Sequence, residues 1–281
     1  MSREAFRKDK PYRTHLEDYG PIWDDLAHLR REDGILEIRF HWDDGPWRWN
    51  EAVHGALVPL FQDISHDPEN ECLIITGTGD SFLNRFDPGV ESQTAARPDG
   101  YEVTYDWWWT VQTRMPSTLL DVPVPIVAAI NGPVSIHPEI VLLSDVIVAA
   151  STTSFADRHL KDVGLTPSDG TNILFRELLG QNLARSALYL GTAIDAEEAL
   201  ALKIVTEVVE PERVLARAWE LARESFLSIP RLHRRISREF LVQPLRELYA
   251  KEIRASMAHE CWSATVSPRG IPEGEGPHGR G

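Results

Sequence analysis

Three short apolar runs leave this 281-residue chain few folds to choose from. They are CLIITGTGD starting at Cys72, PIVAAING starting at Pro125 and VIVAAST starting at Val146. A strand with one wet face alternates apolar and polar residues. A continuous apolar run instead suits a parallel strand covered on both faces. Around these runs the spacing is helical. Residues 51–66 put Val53, Leu57, Leu60, Phe61 and Ile64 on one side of a helix, residues 105–120 have a helical look, and HPEIVLLSD (137–145) reads as a short helix. Strands alternating with helices predict α/β architecture with right-handed crossovers.

The flanks complete the plan. ILEIRF (35–40) alternates apolar and charged residues, as a half-buried strand does, and is followed by the turn-rich, tryptophan-bearing HWDDGPWRWN (41–50). After Pro167 the pattern is mostly helical, with VTEVVE (205–210) as an edge strand and a helix over 211–227. The expected organisation is a polar leader over 1–20, an α/β core over 21–227, a helical region over 228–264 and a proline- and glycine-rich disordered tail over 265–281.

Composition narrows the partners. A formal charge of −14 argues against nucleic acid and anionic membrane surfaces, and disfavours polyanionic ligands such as coenzyme A unless a local basic pocket receives them. Cys72 and Cys261 are the only cysteines; Cys72 opens an apolar run and reads as a core thiol. Neither a metal-ligand cluster nor a Gly-rich phosphate loop is evident, so no metal or organic cofactor is expected. The polar N-terminus lacks a secretory pattern, and nowhere do about 18 apolar residues run together. A soluble, cytoplasmic protein is the expectation.

The order GTGDSFLNRFD (77–87), PIVAAINGPVSIHPEIVLLSDVIVAAS (125–151), SFADRHLKDVGLTPSDG (154–170) and LGTAIDAEEALALKIVTEVV (190–209) resembles the crotonase (enoyl-CoA hydratase/isomerase) superfamily across residues 33–262. The resemblance implies a spiral of ββα turns and a helical C-terminal region that packs trimers or dimers of trimers. Within the superfamily, NGPVxxHPEI is most similar to the β-diketone hydrolases of the 6-oxocamphor hydrolase type. Ordinary enoyl-CoA hydratases carry glycines where this chain has Ser135-Ile136-His137-Pro138. Glycines let backbone N–H groups approach a thioester oxygen, whereas side chains block that approach and proline has no N–H. A side chain must then replace the backbone oxyanion hole.

The resemblance to the hydrolases implies several site residues. His137 matches the histidine that contacts a substrate carbonyl; it also suits a helix N-cap before Pro138. Glu139 matches one glutamate of the hydratases and a substrate-lining position of the hydrolases, and equally suits a helix start, where acids are favoured. His159 and Asp169 are the expected general base and its orienting carboxylate, Asp169 lying in the turn Gly164-Leu165-Thr166-Pro167-Ser168-Asp169-Gly170. Counted from Phe155, His159 falls one residue early. The family's Gly-Pro before the histidine is replaced by Asp157-Arg158, and the position is also that of the hydratases' second glutamate. A surface histidine beside Arg158 and Lys161 is the plain alternative. Glu260, in SMAHECW, matches a late glutamate that reaches the site, although composition alone would make it a solvated helical carboxylate. Trp49 and His54 match pocket-lining positions, and Phe86 lies beside the first oxyanion position as part of Arg85-Phe86-Asp87. Of Trp107, Trp108 and Trp109, at most two could face one pocket.

The resemblance implies hydrolytic carbon–carbon cleavage of a hydrophobic, cyclic 1,3-diketone to a keto acid, without a cofactor, by a homotrimer or a dimer of trimers. The alternatives are a hydratase or isomerase acting on a coenzyme A thioester, and a non-catalytic trimeric scaffold.

Overall fold

The computed structural model describes residues 14–87 and 101–266. Its main sheet contains β1 (Ala27–Glu32), β2 (Ile35–Phe40), β3 (Cys72–Gly77), β4 (Ile126–Ile130), β5 (Val146–Ala150) and β8 (Glu207–Val209), in that spatial order. β1 and β2 are antiparallel and every later pair is parallel. The expected α/β class and edge strand are therefore present. β1 has little sequence signal because only Ala27 is buried along it. Its clue is Asp33-Gly34, whose φ values of 53° and 81° are both left-handed, as a two-residue hairpin turn of the primed type requires.

The sheet is covered on both faces. Leu36, Ile38, Phe40, Leu73, Ile75, Ile126 and Ala128 face one core with α2 (Glu51–His66). Ile35, Cys72, Ile74, Val127, Val148 and Ala150 face another with Val214, Ala218 and Trp219 of α8 (Val214–Leu221). This two-sided burial is why the runs are continuous. It also corrects the reading of ILEIRF as half-buried. Glu37 points into the second core, 4% exposed, and accepts hydrogen bonds from Trp219 Nε1 (2.7 Å) and Arg39.

A second, shorter ladder runs beside the first. Single bridges join Trp49 to Phe86, Leu83 to Val134 and Val134 to Phe155; β6 (Ser154–Phe155) then pairs with β7 (Ile194–Asp195). The two ladders and their helices are the turns of the expected spiral; the second holds Trp49 and Phe86, and its Val134 and Phe155 lead into the segments of His137 and His159.

Three expectations shift at their edges. The leader is shorter than 1–20: α1 (Leu16–Trp23) begins inside it and buries Tyr19, whose hydroxyl donates to Asp67. Residues 1–13 lie outside the described residues. The helix over 105–120 is two, α3 (Tyr101–Val111) and α4 (Met115–Leu120), because Pro116 in the first turn of α4 has no N–H with which to continue α3. The helix over 211–227 is α8 flanked by a 3₁₀ turn and a π turn. α9 (Arg231–Leu241) and α10 (Gln243–Val266) form the C-terminal helical region; the tail from 267 onward lies outside the described residues. Buried Arg238 clamps α9 to the core through Asp145 (2.8 Å) and the Leu120 carbonyl (2.9 Å). Among the described residues no helix is long and apolar enough to cross a membrane.

Candidate active site

The eight expected residues come from separate elements. Trp49 precedes α2, its N–H donating to the Arg85 carbonyl (2.9 Å) and its carbonyl accepting from Asp87 (3.0 Å). That pairing sets Phe86, half-buried, beside it. His54 lies in the first turn of α2, which Asn50 caps by accepting the Val53 N–H. The His137 ring centre is 3.9 Å from that of Trp49 and 4.9 Å from that of His54. Trp107 lies against Gly55, next to His54, and also packs on a separate cluster that contains Trp108, Val163, Leu165 and Met257.

His137 occupies the stretch where hydratases carry glycine, and its backbone shows it. At φ 47° it adopts the left-handed conformation that glycine takes freely and other residues seldom do. The N–H groups of Ser135 and Ile136 both donate to the Leu83 carbonyl, at 3.0 and 3.2 Å. Two backbone donors of this stretch are therefore spent within the protein. The ring is pinned as Nδ1 donates to Glu139 Oε1 (2.7 Å). Glu139 opens α5 (Glu139–Leu142), and its other oxygen accepts from Thr171 (2.7 Å). One oxygen of Glu139 thus braces His137 while the other is held by Thr171.

Asp169 stands two residues before α6 (Thr171–Leu190). Gly170 follows it at φ 117°, where a Cβ would lie 2.8 Å from Tyr249 Cε1; the Tyr249 hydroxyl donates to the Gly170 carbonyl (3.0 Å). Glycine is therefore required by both conformation and space. Asp169 is fully buried. Its Oδ2 is 3.0 Å from His137 Nδ1 and 3.6 Å from His159 Nε2, yet neither carboxylate oxygen has a well-directed hydrogen bond. The carboxylate lies between the two histidines.

His159 begins a π-helical turn (His159–Val163) and is largely enclosed, its side chain 16% exposed, so it is not the surface histidine of the plain alternative. Asp169, expected to orient it, lies on the Nε2 side of the ring at 3.6 Å, and Asp157 lies on the Nδ1 side. Asp157 Oδ1 accepts from both the His159 backbone N–H (3.0 Å) and Nδ1 (3.1 Å). Glu260 on α10 is 1% exposed, which removes the solvated alternative, and its Oε2 lies 2.6 Å from Ser168 Oγ. Asp157, Ser168 and Thr171 are the contributors that sequence reasoning missed. The only available signals were the aspartate two residues before a histidine and the hydroxyls flanking Asp169.

The burial of so many carboxylates and imidazoles shifts their protonation. Burial, reinforced by the Asp169 charge, pushes Glu260 up to about 8 and raises Glu139 as well. Burial opposes charge on His159, but Asp157 and Asp169 overcome it and hold the ring well above its ordinary value. His137 is raised in the same way by Asp169 and Glu139. Burial, with the nearby His137 and His159, holds His54 well below its ordinary value, so it is a neutral imidazole. Its Nε2 is buried without a hydrogen-bond partner in the protein.

His137, His159 and Asp169 each offer a ligand atom within 4.8 Å of the others, close enough to share a metal ion. A second such group, His28, His41 and Asp44, has both His41 nitrogens engaged, with the Asp24 carbonyl and the Asp44 N–H.

The family model described as enoyl-CoA hydratase/isomerase matches residues 30–271. A carnitinyl-CoA dehydratase of Citrobacter koseri is 31% identical over 206 residues, covering 72% of this chain and 75% of its own. A 1,2-epoxyphenylacetyl-CoA isomerase of Escherichia coli is 25% identical over 201 residues, covering 70% of this chain and 74% of its own. Among solved structures, the β-diketone hydrolase of the cyanobacterium Anabaena sp. PCC 7120, bound to (S)-3-oxocyclohexyl acetic acid, superposes with a TM-score of 0.81 at 30% identity, covering 92% of this chain and 98% of its own. Fold, motif order and family model agree: this chain belongs to the enoyl-CoA hydratase/isomerase family of the crotonase superfamily.

Proposed function

We propose that the chain hydrolyses a carbon–carbon bond of a hydrophobic 1,3-diketone to give a keto acid, a retro-Claisen reaction. The observation that carries this reading is the enclosed pair His137 and His159, with Asp169 between them, in a site where the Ser135 and Ile136 N–H groups are already spent. His159, as the free base, takes a proton from water, whose oxygen attacks one carbonyl carbon. Trp49, and His137 as an imidazolium whose Nδ1–H stays with Glu139, donate to the oxygens that gain charge. The adduct collapses and the bond to the carbon between the carbonyls breaks, its electron pair moving into the enolate of the second carbonyl. Glu260, protonated below about 8, returns a proton to that carbon. The second carbonyl is the electron sink, so the chemistry requires no metal or organic cofactor. A general base contributes roughly 10²–10⁴-fold and one oxyanion donor ~10²–10³-fold.

The Anabaena hydrolase supports this reading, since the molecule bound to it is a keto acid. A coenzyme A thioester reaction is the second reading, favoured by the relatives named for such substrates. Against it, each Glu139 oxygen already accepts a hydrogen bond within the protein, from His137 and from Thr171. We also infer self-association as a trimer or a dimer of trimers. Leu232, Ile236 and Phe240 leave an apolar stripe exposed on α9, while Arg234 and Arg238 on its other face are buried.

The test is turnover of a panel of cyclic 1,3-diketones by wild type and Asp169→Asn, following keto acid formation. Keto acid from wild type, with at least a ~10²-fold loss in the variant, is the expected result. No diketone turnover together with activity on an enoyl-CoA would sink the proposal.

A further inference from the structure

His159 sits between two carboxylates that meet opposite edges of its ring. On one edge, Asp157 Oδ1 accepts Nδ1–H at 3.1 Å. On the other, Asp169 Oδ2 lies 3.6 Å from Nε2 without hydrogen-bond direction. We propose that Asp157 is the positioning residue of His159: it fixes the Nδ1–H tautomer and leaves Nε2, facing Asp169, as the nitrogen that exchanges protons.

Several observations converge on this assignment. Asp157 is 2% exposed, and the hydrogen bonds it accepts both come from His159, through the backbone N–H and through Nδ1. Its Oδ2 is buried without a partner. A buried carboxylate without partners is costly, so its one ion pair, with His159, offsets its desolvation. The residue stays ionised: burial raises its pKa, but the charge and hydrogen bonds of His159 outweigh that and hold it below the usual carboxylate range. A turn cap alone would need only the backbone contact; the Nδ1 contact is the additional feature. Closing both contacts on one oxygen sets the ring's direction as well as its tautomer.

The arrangement also bears on how a histidine that falls one residue early can serve the site: Asp157, two residues before it, turns the ring by accepting from both its backbone N–H and Nδ1. Asp169 is released from orienting His159 and faces both His137 Nδ1 and His159 Nε2. In a Ser-His-Asp triad, replacing the orienting aspartate by asparagine lowers kcat about 10⁴-fold through the wrong tautomer.

The kinetic arm of the test rests on the diketone reading; the spectroscopic arm does not. Protein labelled with ¹⁵N-histidine, with the His159 signals assigned by loss in His159→Gln, reports which ring nitrogen carries the proton in the neutral form. The expected wild-type result is protonated Nδ1, lost or exchanged for Nε2–H in Asp157→Asn and retained in Asp169→Asn. With a diketone substrate, Asp157→Asn should lose at least ~10²-fold in kcat with KM within about threefold, at an unchanged melting temperature. Neutral wild-type His159 protonated at Nε2 would overturn the inference, even if Asp157→Asn fails to fold. A tautomer indifferent to Asp157→Asn but changed by Asp169→Asn would overturn it too. The expected tautomer without diketone turnover would remove the proposed reaction and leave the positioning role standing.

Discussion

His137 Nδ1 lies 2.7 Å from Glu139 Oε1 across a backbone turned to φ 47° at His137, so the carboxylate that braces the ring also holds a left-handed histidine in place. Backbone strain of this kind persists where surrounding contacts over-determine it, and it gathers at functional sites. In the hydratases the same stretch is glycine, which takes this conformation without cost. This chain accepts the strain and gains an imidazole against Trp49.

Replacing His137 separates the two effects. His137→Gly and His137→Ala should both lose the ring's donor, lowering kcat about 10²-fold on a diketone. Glycine alone relieves the backbone, so His137→Gly should be more stable than His137→Ala by ~1–2 kcal/mol in urea denaturation. Equal stabilities would show that the left-handed backbone carries no strain. Equal kcat for wild type and both variants would remove the ring from the reaction.

Chelation tests the reaction's independence of metal. His137, His159 and Asp169 are near enough to hold an ion, but His137 Nδ1 is committed to Glu139 and His159 must keep Nε2 for protons. Turnover after exhaustive dialysis against EDTA should therefore equal that before. A loss restored by one divalent metal would turn the cluster into a metal centre and replace the general-base mechanism.

Much of the fold is readable from the sequence because it is local. CLIITG, IVAAI and VIVAA become the buried parallel strands, since a continuous apolar run permits little else. The site is readable in part, because His137, Asp169 and Glu260 stand in recognisable motifs. What stays hidden depends on distant partners. Glu37 looks like the wet face of a strand until Trp219, 182 residues away, covers it. Asp157 has no helical or strand period to mark it. Its role comes from a turn that brings one oxygen to two nitrogens of the same residue.

The α9 stripe should disappear from solvent on assembly. Leu232, Ile236 and Phe240 recur every four residues and are 65%, 58% and 78% exposed in the single chain. Light scattering behind size exclusion should give three or six copies for wild type. Phe240→Asp should shift the species to smaller size with little change in the far-ultraviolet spectrum. A wild-type monomer would refute self-association.

Glu260 gives the pH dependence its sign. Burial and Asp169 raise its folded pKa to about 8, above the value of an unfolded glutamate. Between those two pH values the native state holds a proton that the unfolded state has released, so this group lowers stability as pH rises through that window. Glu260→Gln removes the effect and can keep a hydrogen bond to Ser168. The variant's stability relative to wild type should therefore increase from pH 5 to pH 8 in urea denaturation. In turnover the signs run differently. His159 must lose its proton, and its raised pKa moves the acid limb of the profile above the ordinary histidine range. Glu260 must keep its proton, so the alkaline limb lies near 8. Together they predict a bell-shaped profile, with Glu260→Gln slowed at every pH and lacking that alkaline limb. A variant whose alkaline limb matches wild type would assign the limb to another group and take the proton-donor role away from Glu260.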